Sequence, residues 1–128
     1  MVLLDTDVLI DCLRALPAAK QWLESQADER FGIPGIVAME LLVGCRDRTE
    51  QRHLEKFLKA FNVVWPDSAD FARAFDLLAA YRLASGVGIP DCLIAAMALG
   101  RQTPLCTFNR KHFAPFDGLD LREPYRRG

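Results

Sequence analysis

Short apolar runs alternate along this chain with longer stretches of helical periodicity, and no other feature restricts the fold as much. "MVLL" reads as a buried strand, followed by a helix from about Asp7 to Arg14. Pro17 opens a second helix, "PAAKQWLESQADE", with Trp22 and Leu23 facing inward. "FGIP" is a brief strand, and Pro34 suits the first turn of a helix running to Gly44. "TEQRHLEKFLKAF" sets Leu54, Phe57, Leu58 and Phe61 at helical spacing. "NVVWP" is the next strand, and Asp67 caps a long helix with Phe71, Phe75, Leu78 and Tyr81 along one stripe. Pro90 opens another helix, which Gly100 ends; "PLCTF" is a buried strand and "LDLREP" an edge strand. Strands this short and apolar need cover on both faces, which helices supply when the strands run parallel. The expected fold is a three-layer α/β/α arrangement on a central, mostly parallel sheet of about four to five strands.

The chain has 128 residues, 51% of them hydrophobic and 26% charged, which suits one globular domain over residues 1–128. It has no repeat, low-complexity tract or linker. The N-terminus makes a poor signal peptide, because Asp5, Asp7 and Asp11 interrupt its apolar stretch and no basic segment precedes it. No apolar run approaches the ~20 residues that a membrane helix needs. Cys12, Cys45, Cys92 and Cys106 form no C-x-x-C pair and read as ordinary thiols among apolar neighbours. The default is a cytoplasmic protein away from membranes.

Sixteen Lys and Arg stand against 17 Asp and Glu, so bulk charge does not advertise nucleic acid. If three of the carboxylates hold cations, 16 basic groups face 14 remaining acids, and a polyanionic substrate stays open.

In parallel sheets covered by helices, ligands bind at the carboxyl ends of the strands. Asp5 sits there, where "VLL" ends, and Asn109 holds the equivalent place just past "LCTF". Asp91 falls in the first turn of the helix opened by Pro90, where the helix dipole alone can account for an acid. Glu40 is harder to explain. It lies in "GIVAMELLVG", a helix apolar all round and therefore expected to be buried. An unpaired carboxylate there costs several kcal/mol and demands a cation, either Arg46 or Arg48 or a divalent metal. Asp7 reads as the cap of the following helix, and Asp11 as a charge meeting solvent or Arg14. Asp5, Glu40 and Asp91 from three distant segments can converge at one sheet end, and oxygen ligands of this kind suit Mg²⁺ or Mn²⁺.

Four stretches in order, "LLDTDVLID", "IPGIVAMELLVG", "IPDCLIAAMALG" and "PLCTFNRKHF", give the chain a resemblance to PIN-domain ribonucleases, and within them to the VapC-type toxins of toxin–antitoxin systems. "FDGLDLREPY" has the look of that family's closing segment, so the resemblance covers nearly the whole chain. It implies a PIN-like fold and a Mg²⁺- or Mn²⁺-dependent endoribonuclease in which a metal-oriented water attacks the phosphodiester. Asp5, Glu40 and Asp91 match the family's acids, with Thr6, Thr107 and Asn109 in support. Many relatives carry an acid where this chain has "TFNRKHF", so one firmly held ion is expected rather than two. His112, in the same stretch, can touch phosphate or stand as a surface histidine, and His53 reads as the latter. Arg110 and Lys111 are the best placed RNA contacts, with Arg14, Arg46 and Arg48 as further candidates. The resemblance also implies a homodimer and a small antitoxin partner covering the acidic groove, on a surface to which Trp22, Leu23, Leu54 and Phe57 can contribute.

Two other classes share parts of the pattern. "DTDVL" resembles the nucleophile motif of haloacid-dehalogenase-like phosphatases, but no lysine lies between Lys59 and Lys111. A phosphorylation receiver module would want a late Lys-Pro, whereas Lys111 is followed by His112. Neither explains Glu40. A nucleic-acid binder without catalysis also fits, with Asn109 marking a degenerate site.

Overall fold

Residues 1–127 are described in the computed structural model. Five parallel strands form its sheet: β1 (Val2–Leu4), β2 (Phe31–Pro34), β3 (Asn62–Val64), β4 (Leu105–Cys106) and β5 (Leu121–Arg122). Their spatial order is β3-β2-β1-β4-β5, and every pairing is parallel. The expectation of a mostly parallel sheet thus becomes an entirely parallel one. The helices are α1 (Thr6–Leu13), α2 (Pro17–Ser25), α3 (Gly35–Val43), α4 (Arg48–Leu58), α5 (Ser68–Ser85), α6 (Ile89–Arg101) and α7 (Arg110–Phe113).

The strand order explains where a site can form. The chain leaves β1 towards β2 and β3, then returns on β1's other side as β4 and β5. The β1–β4 junction is therefore the point where the direction of winding reverses, and crevices open beyond the strand ends there. Register places Leu4 opposite Cys106, so the next residues, Asp5 and Thr107, leave the sheet side by side. Val2, Leu3, Leu4, Leu105 and Cys106 are all buried, as strands covered on both faces must be.

Several sequence expectations are corrected. Helix α1 begins at Thr6, one residue earlier than expected, because Asp5 rather than Asp7 takes the cap position. Helix α3 is apolar all round, yet only one side meets the core: Val37, Ala38 and Leu41 are buried, whereas Met39, Leu42 and Val43 are exposed. Glu40 shares the exposed side, so its environment is not the closed apolar one that its neighbours suggested. Phe71 and Phe75 on α5 likewise stand out of the core, at 55% and 72% exposure, while Leu78 and Tyr81 pack against it. Trp22 is committed to packing against Phe31 and Tyr125, and Leu54 is a core residue.

The long α5–α6 pair carries its own polar anchor. Asp67 and Asp70 form a reciprocal capping box at the start of α5. Buried Asp70 also takes a forked pair of bonds, 2.8 and 3.0 Å, from Arg101 at the end of α6. Gly86, at φ +70°, ends α5 in the left-handed conformation that favours glycine. None of the described helices is long and apolar enough to cross a membrane.

Candidate functional site

The carboxyl end of β1 carries a tightly hydrogen-bonded polar cluster. Asp5 is nearly buried, and its Oδ1 accepts the Thr6 N–H at 2.8 Å. Its Oδ2 accepts the Thr107 hydroxyl at 2.8 Å. Thr107, fully buried just past β4, has its hydroxyl oxygen accept the Asn109 N–H at 3.0 Å. One threonine thereby ties the end of β1 to the turn that follows β4. Asp7 closes the same turn from the α1 side, its Oδ2 accepting the Phe108 N–H at 3.0 Å. Asp7 is thus a brace between α1 and the 107–109 turn rather than a helix cap, because α1 starts one residue before it.

The electrostatics of this cluster are frustrated. Burial lifts Asp5 from the ordinary 3.8 to about 6, Asp7 and Asp91 push in the same direction, and bonds from Thr107 and Thr6 oppose them. Glu40 is also raised, by partial burial first and by the charge of Asp91 second. Asp91 therefore lies within electrostatic reach of both other acids. It sits in the first turn of α6, where its Oδ2 takes only a long 3.5 Å contact from the Gly88 N–H. Among the described residues no ion pair engages Glu40; Arg46 pairs with Glu50 instead.

Two features bear on whether a cation fits. The Thr6 hydroxyl is buried beside Asp5 without a hydrogen-bond partner, an arrangement that calls for water or a ligand. Among the described residues, however, no three His, Cys, Asp or Glu groups stand close enough to hold an ion by themselves. That combination fits Mg²⁺ or Mn²⁺, hard ions that bind through one or two carboxylates and keep several waters.

Asn109 lies at the same sheet end and precedes α7, although its side chain does not cap that helix. Arg110 and Lys111 are exposed on α7. His112, on the same short helix, brings Nδ1 to 3.6 Å from Asp91 Oδ2. A groove of about 580 Å³ runs from the acids along α1, α3 and α4, lined by Thr6 and Glu40 and by Ile10, Leu13, Leu41 and Leu54. His53 is exposed beside its far wall, as its sequence position suggests.

Family comparison decides between the readings left open by sequence. The PIN-domain model matches residues 2–119. This chain belongs to the PIN-domain family. Ribonuclease VapC19 of Mycobacterium tuberculosis is 38% identical over 130 residues, an alignment spanning 98% of this chain and 100% of that protein. Ribonuclease VapC10 of the same organism is 36% identical over 121 residues, spanning 93% and 90%. Among solved structures, a toxin–antitoxin complex from Klebsiella pneumoniae contains a chain of the same fold, with a TM-score of 0.79 and 29% identity; the match covers 98% of this chain and 99% of that one. The phosphatase and receiver readings fall with that assignment.

The PIN domain also has an anchor that its sequence did not disclose. Asp11, expected at the surface near Arg14, is buried and accepts the Tyr125 hydroxyl at 2.8 Å and Arg127 Nε at 2.9 Å. Arg127 lies over the Phe108 ring, 4.2 Å from its centroid, and Tyr125 meets the same ring nearly edge-on. Residues 125–127 therefore strap α1 to the turn bearing Thr107. The guanidinium and phenol hold the Asp11 carboxyl below its ordinary range, outweighing burial, which alone would raise it. Because Arg127 is half exposed, Arg127→Ala should lower stability by only about 1 kcal/mol. A urea midpoint unchanged in that variant would show the strap to be slack. Its sequence signal is weak: an aromatic and a basic residue two apart at the far end of the chain.

Proposed function

We propose that this PIN domain is a metal-dependent endoribonuclease, the toxin of a toxin–antitoxin pair, with Asp5, Glu40 and Asp91 as its site acids. The observation that carries the reading is the frustrated acid cluster at the winding switch of the sheet, where burial and mutual repulsion disfavour the ionised carboxylates unless a cation joins them. Ribonuclease relatives over almost the full chain supply the reaction class.

Asp5 and Asp91 would hold Mg²⁺ or Mn²⁺, with Glu40 at the exposed rim and Thr6 in contact with its waters. When bound, such an ion activates water and stabilises the negative charge that develops during phosphodiester hydrolysis. Thr107 fixes one Asp5 oxygen at 2.8 Å, which leaves the carboxylate little rotational freedom. Asn109 would line the approach, and Arg110 and Lys111 would meet RNA phosphates near the cut. Unpaired RNA suits this open rim, because splayed bases can be read without a groove.

The partner reading rests on the groove and on the Klebsiella relative, which was solved as a toxin–antitoxin complex. An apolar antitoxin segment would lie along Ile10 and Leu13, over a buried floor of Leu41 and Leu54, and reach Glu40 at the groove's acidic end. The exposed side chains of Phe71, Phe75 and Ile89 offer an apolar face for a homodimer, which sedimentation of the isolated chain would detect.

Incubation of the purified chain with single-stranded RNA tests the activity. Cleavage is expected in Mg²⁺ or Mn²⁺, none in EDTA, and a loss of at least ~10²-fold in Asp91→Asn. Cleavage that persists in EDTA, or an Asp91→Asn variant as fast as the wild type, would overturn the assignment.

A further inference from the structure

We infer that helix α4 carries a second RNA contact, in which Arg48, Arg52, Lys56 and Lys59 form a track for the phosphates of a single strand cut at the acids. The inference rests on the nuclease reading above and extends it to the class of RNA taken, strands long enough to reach the track.

The placement of the four cations comes first. At 3.6 residues per turn, positions 48, 52, 56 and 59 fall within about 80° of the circumference of α4. All four residues are exposed. Leu54 is buried on the opposite side of the helix, and Phe57 and Leu58 pack against the core there. Among the described residues no ion pair engages any of the four, whereas Arg46, Arg101, Arg122 and Arg127 each hold an acid. Glu55 borders the stripe and accepts a bond from Gln51 at 3.0 Å. At the start of the stripe Arg48 and Arg52, with Gln51 and Glu55, flank a hollow of about 470 Å³.

A charged helix face is ordinarily just solvated, but this pattern is not one that solvation favours. Arg48 with Arg52, and Arg52 with Lys56, are like charges four residues apart, which weaken a helix. Arg48 also opens α4, where the helix dipole repels a cation. Local rules broken together on one face mark a functional surface, and a polyanion relieves both conflicts. The whole chain has a net charge of -1, so the positive potential belongs to this face and not to the protein at large.

Geometry selects the kind of polyanion. Four residues of helix advance about 6 Å, so the cations follow one another as phosphates do along an extended strand, over ~16 Å from Arg48 to Lys59. The apolar residues of α4 are turned into the core, which leaves the helix without the apolar face that a membrane surface would require. The track also borders the proposed site. Thr49 and His53, on the adjoining strip of α4, line the groove that begins at Thr6 and Glu40. A strand cut at the acids reaches the track by crossing that groove.

Fluorescence anisotropy in EDTA reads RNA binding apart from cleavage. For single strands the log of affinity falls with the log of salt by about 0.7 per phosphate neutralised. The combined variant Arg48→Gln, Arg52→Gln, Lys56→Gln and Lys59→Gln should flatten that slope by roughly 3 on long single-stranded RNA, and bind it at least ~10-fold more weakly at low salt. Glutamine keeps the helix propensity of the residues it replaces, so the fold is retained. Removing exposed cations elsewhere, by Lys20→Gln, Arg30→Gln, Arg73→Gln and Arg82→Gln together, should leave the slope nearly unchanged. In Mg²⁺ the α4 variant should cut the long strand with a raised KM and an unchanged kcat. It should cut a tetranucleotide spanning the same cut site as fast as the wild type does. Equal flattening by the two variants would reduce the track to bulk charge and overturn the inference. An α4 variant that binds and cuts long RNA like an active wild type would also overturn it, leaving the nuclease reading in place. Polyglutamate binding lost from the α4 variant, with RNA binding intact, would assign the face to an acidic protein and overturn it too. A wild type that binds long RNA through α4 but cuts nothing would keep the track and remove the nuclease.

Discussion

At pH 7 and without metal, Asp5→Asn melts at a higher temperature than the wild type, and it cleaves RNA at least ~10²-fold more slowly. The two effects have one origin. Asp5 has its carboxyl raised from 3.8 to about 6 in the folded state, mainly by burial and by Asp7. Below the unfolded value both states are protonated and nothing is lost. Between the two values the folded protein binds the extra proton, and above about 6 the full penalty is present, at most roughly 3 kcal/mol. The stability of the metal-free wild type therefore rises as pH falls from 7 towards 4. The trend reverses once the lowered carboxyls, Asp70 and Asp11, begin to protonate and release Arg101 and Arg127. Asparagine removes the ionisation and keeps an oxygen for the Thr107 hydroxyl. Melting curves of the two proteins between pH 4 and 8 should converge at the acid end. Mn²⁺ or Mg²⁺ should lift the wild type alone, because only its carboxylate gains from the ion. A wild-type melting temperature indifferent to pH in chelator, or an equal lift of Asp5→Asn by metal, would refute this account.

The largest loss of stability should come from Arg101→Met, at the end of α6 away from the acids. That change strands Asp70, a buried carboxylate that now receives two guanidinium bonds. Removing one partner of a buried ion pair costs about 3–5 kcal/mol, and the partial exposure of Arg101 puts this case near the lower figure. Adding Asp70→Asn should recover part of the loss. It removes the stranded charge and keeps an oxygen for the Asp67 N–H in the capping box. Cleavage per folded molecule should not change, since Asp91 lies ten residues up the helix, ~15 Å from Arg101. Calorimetry and a cleavage assay on the same preparations would separate the two effects. A variant as stable as the wild type would show the Arg101–Asp70 pair to be dispensable.

The fold was legible because each strand is short, apolar and followed by a helix start signal, a pattern with few three-dimensional solutions. Pro17 and the Asp67 cap marked true helix starts, and even the two-residue β5 lay where "LDLREP" suggested. Glu40 was singled out through an environment that the structure does not have. A helix apolar all round implies burial only if both sides meet protein, and α3 keeps Met39, Leu42 and Val43 open to solvent. What singles out Glu40 is the charge of Asp91 nearby, and periodicity cannot register that. Asp11 fails for the converse reason: its partners, Tyr125 and Arg127, lie more than a hundred residues away. Local spacing offered only Arg14. His112 was visible as a residue type, but its approach to Asp91 depends on how α7 docks.

The Thr107–Asp5 bond has a consequence for the timing of synthesis. Its two ends are separated by 102 positions, and those of the Arg127–Asp11 bond by 116. At ~5–20 residues per second, Asp5 waits roughly 5–20 s on the ribosome before its threonine is made. Throughout that interval β1 lacks β4, and the acids have no common edge on which to meet. If the domain cuts RNA as proposed, a half-made copy leaves its own message and its own ribosome intact.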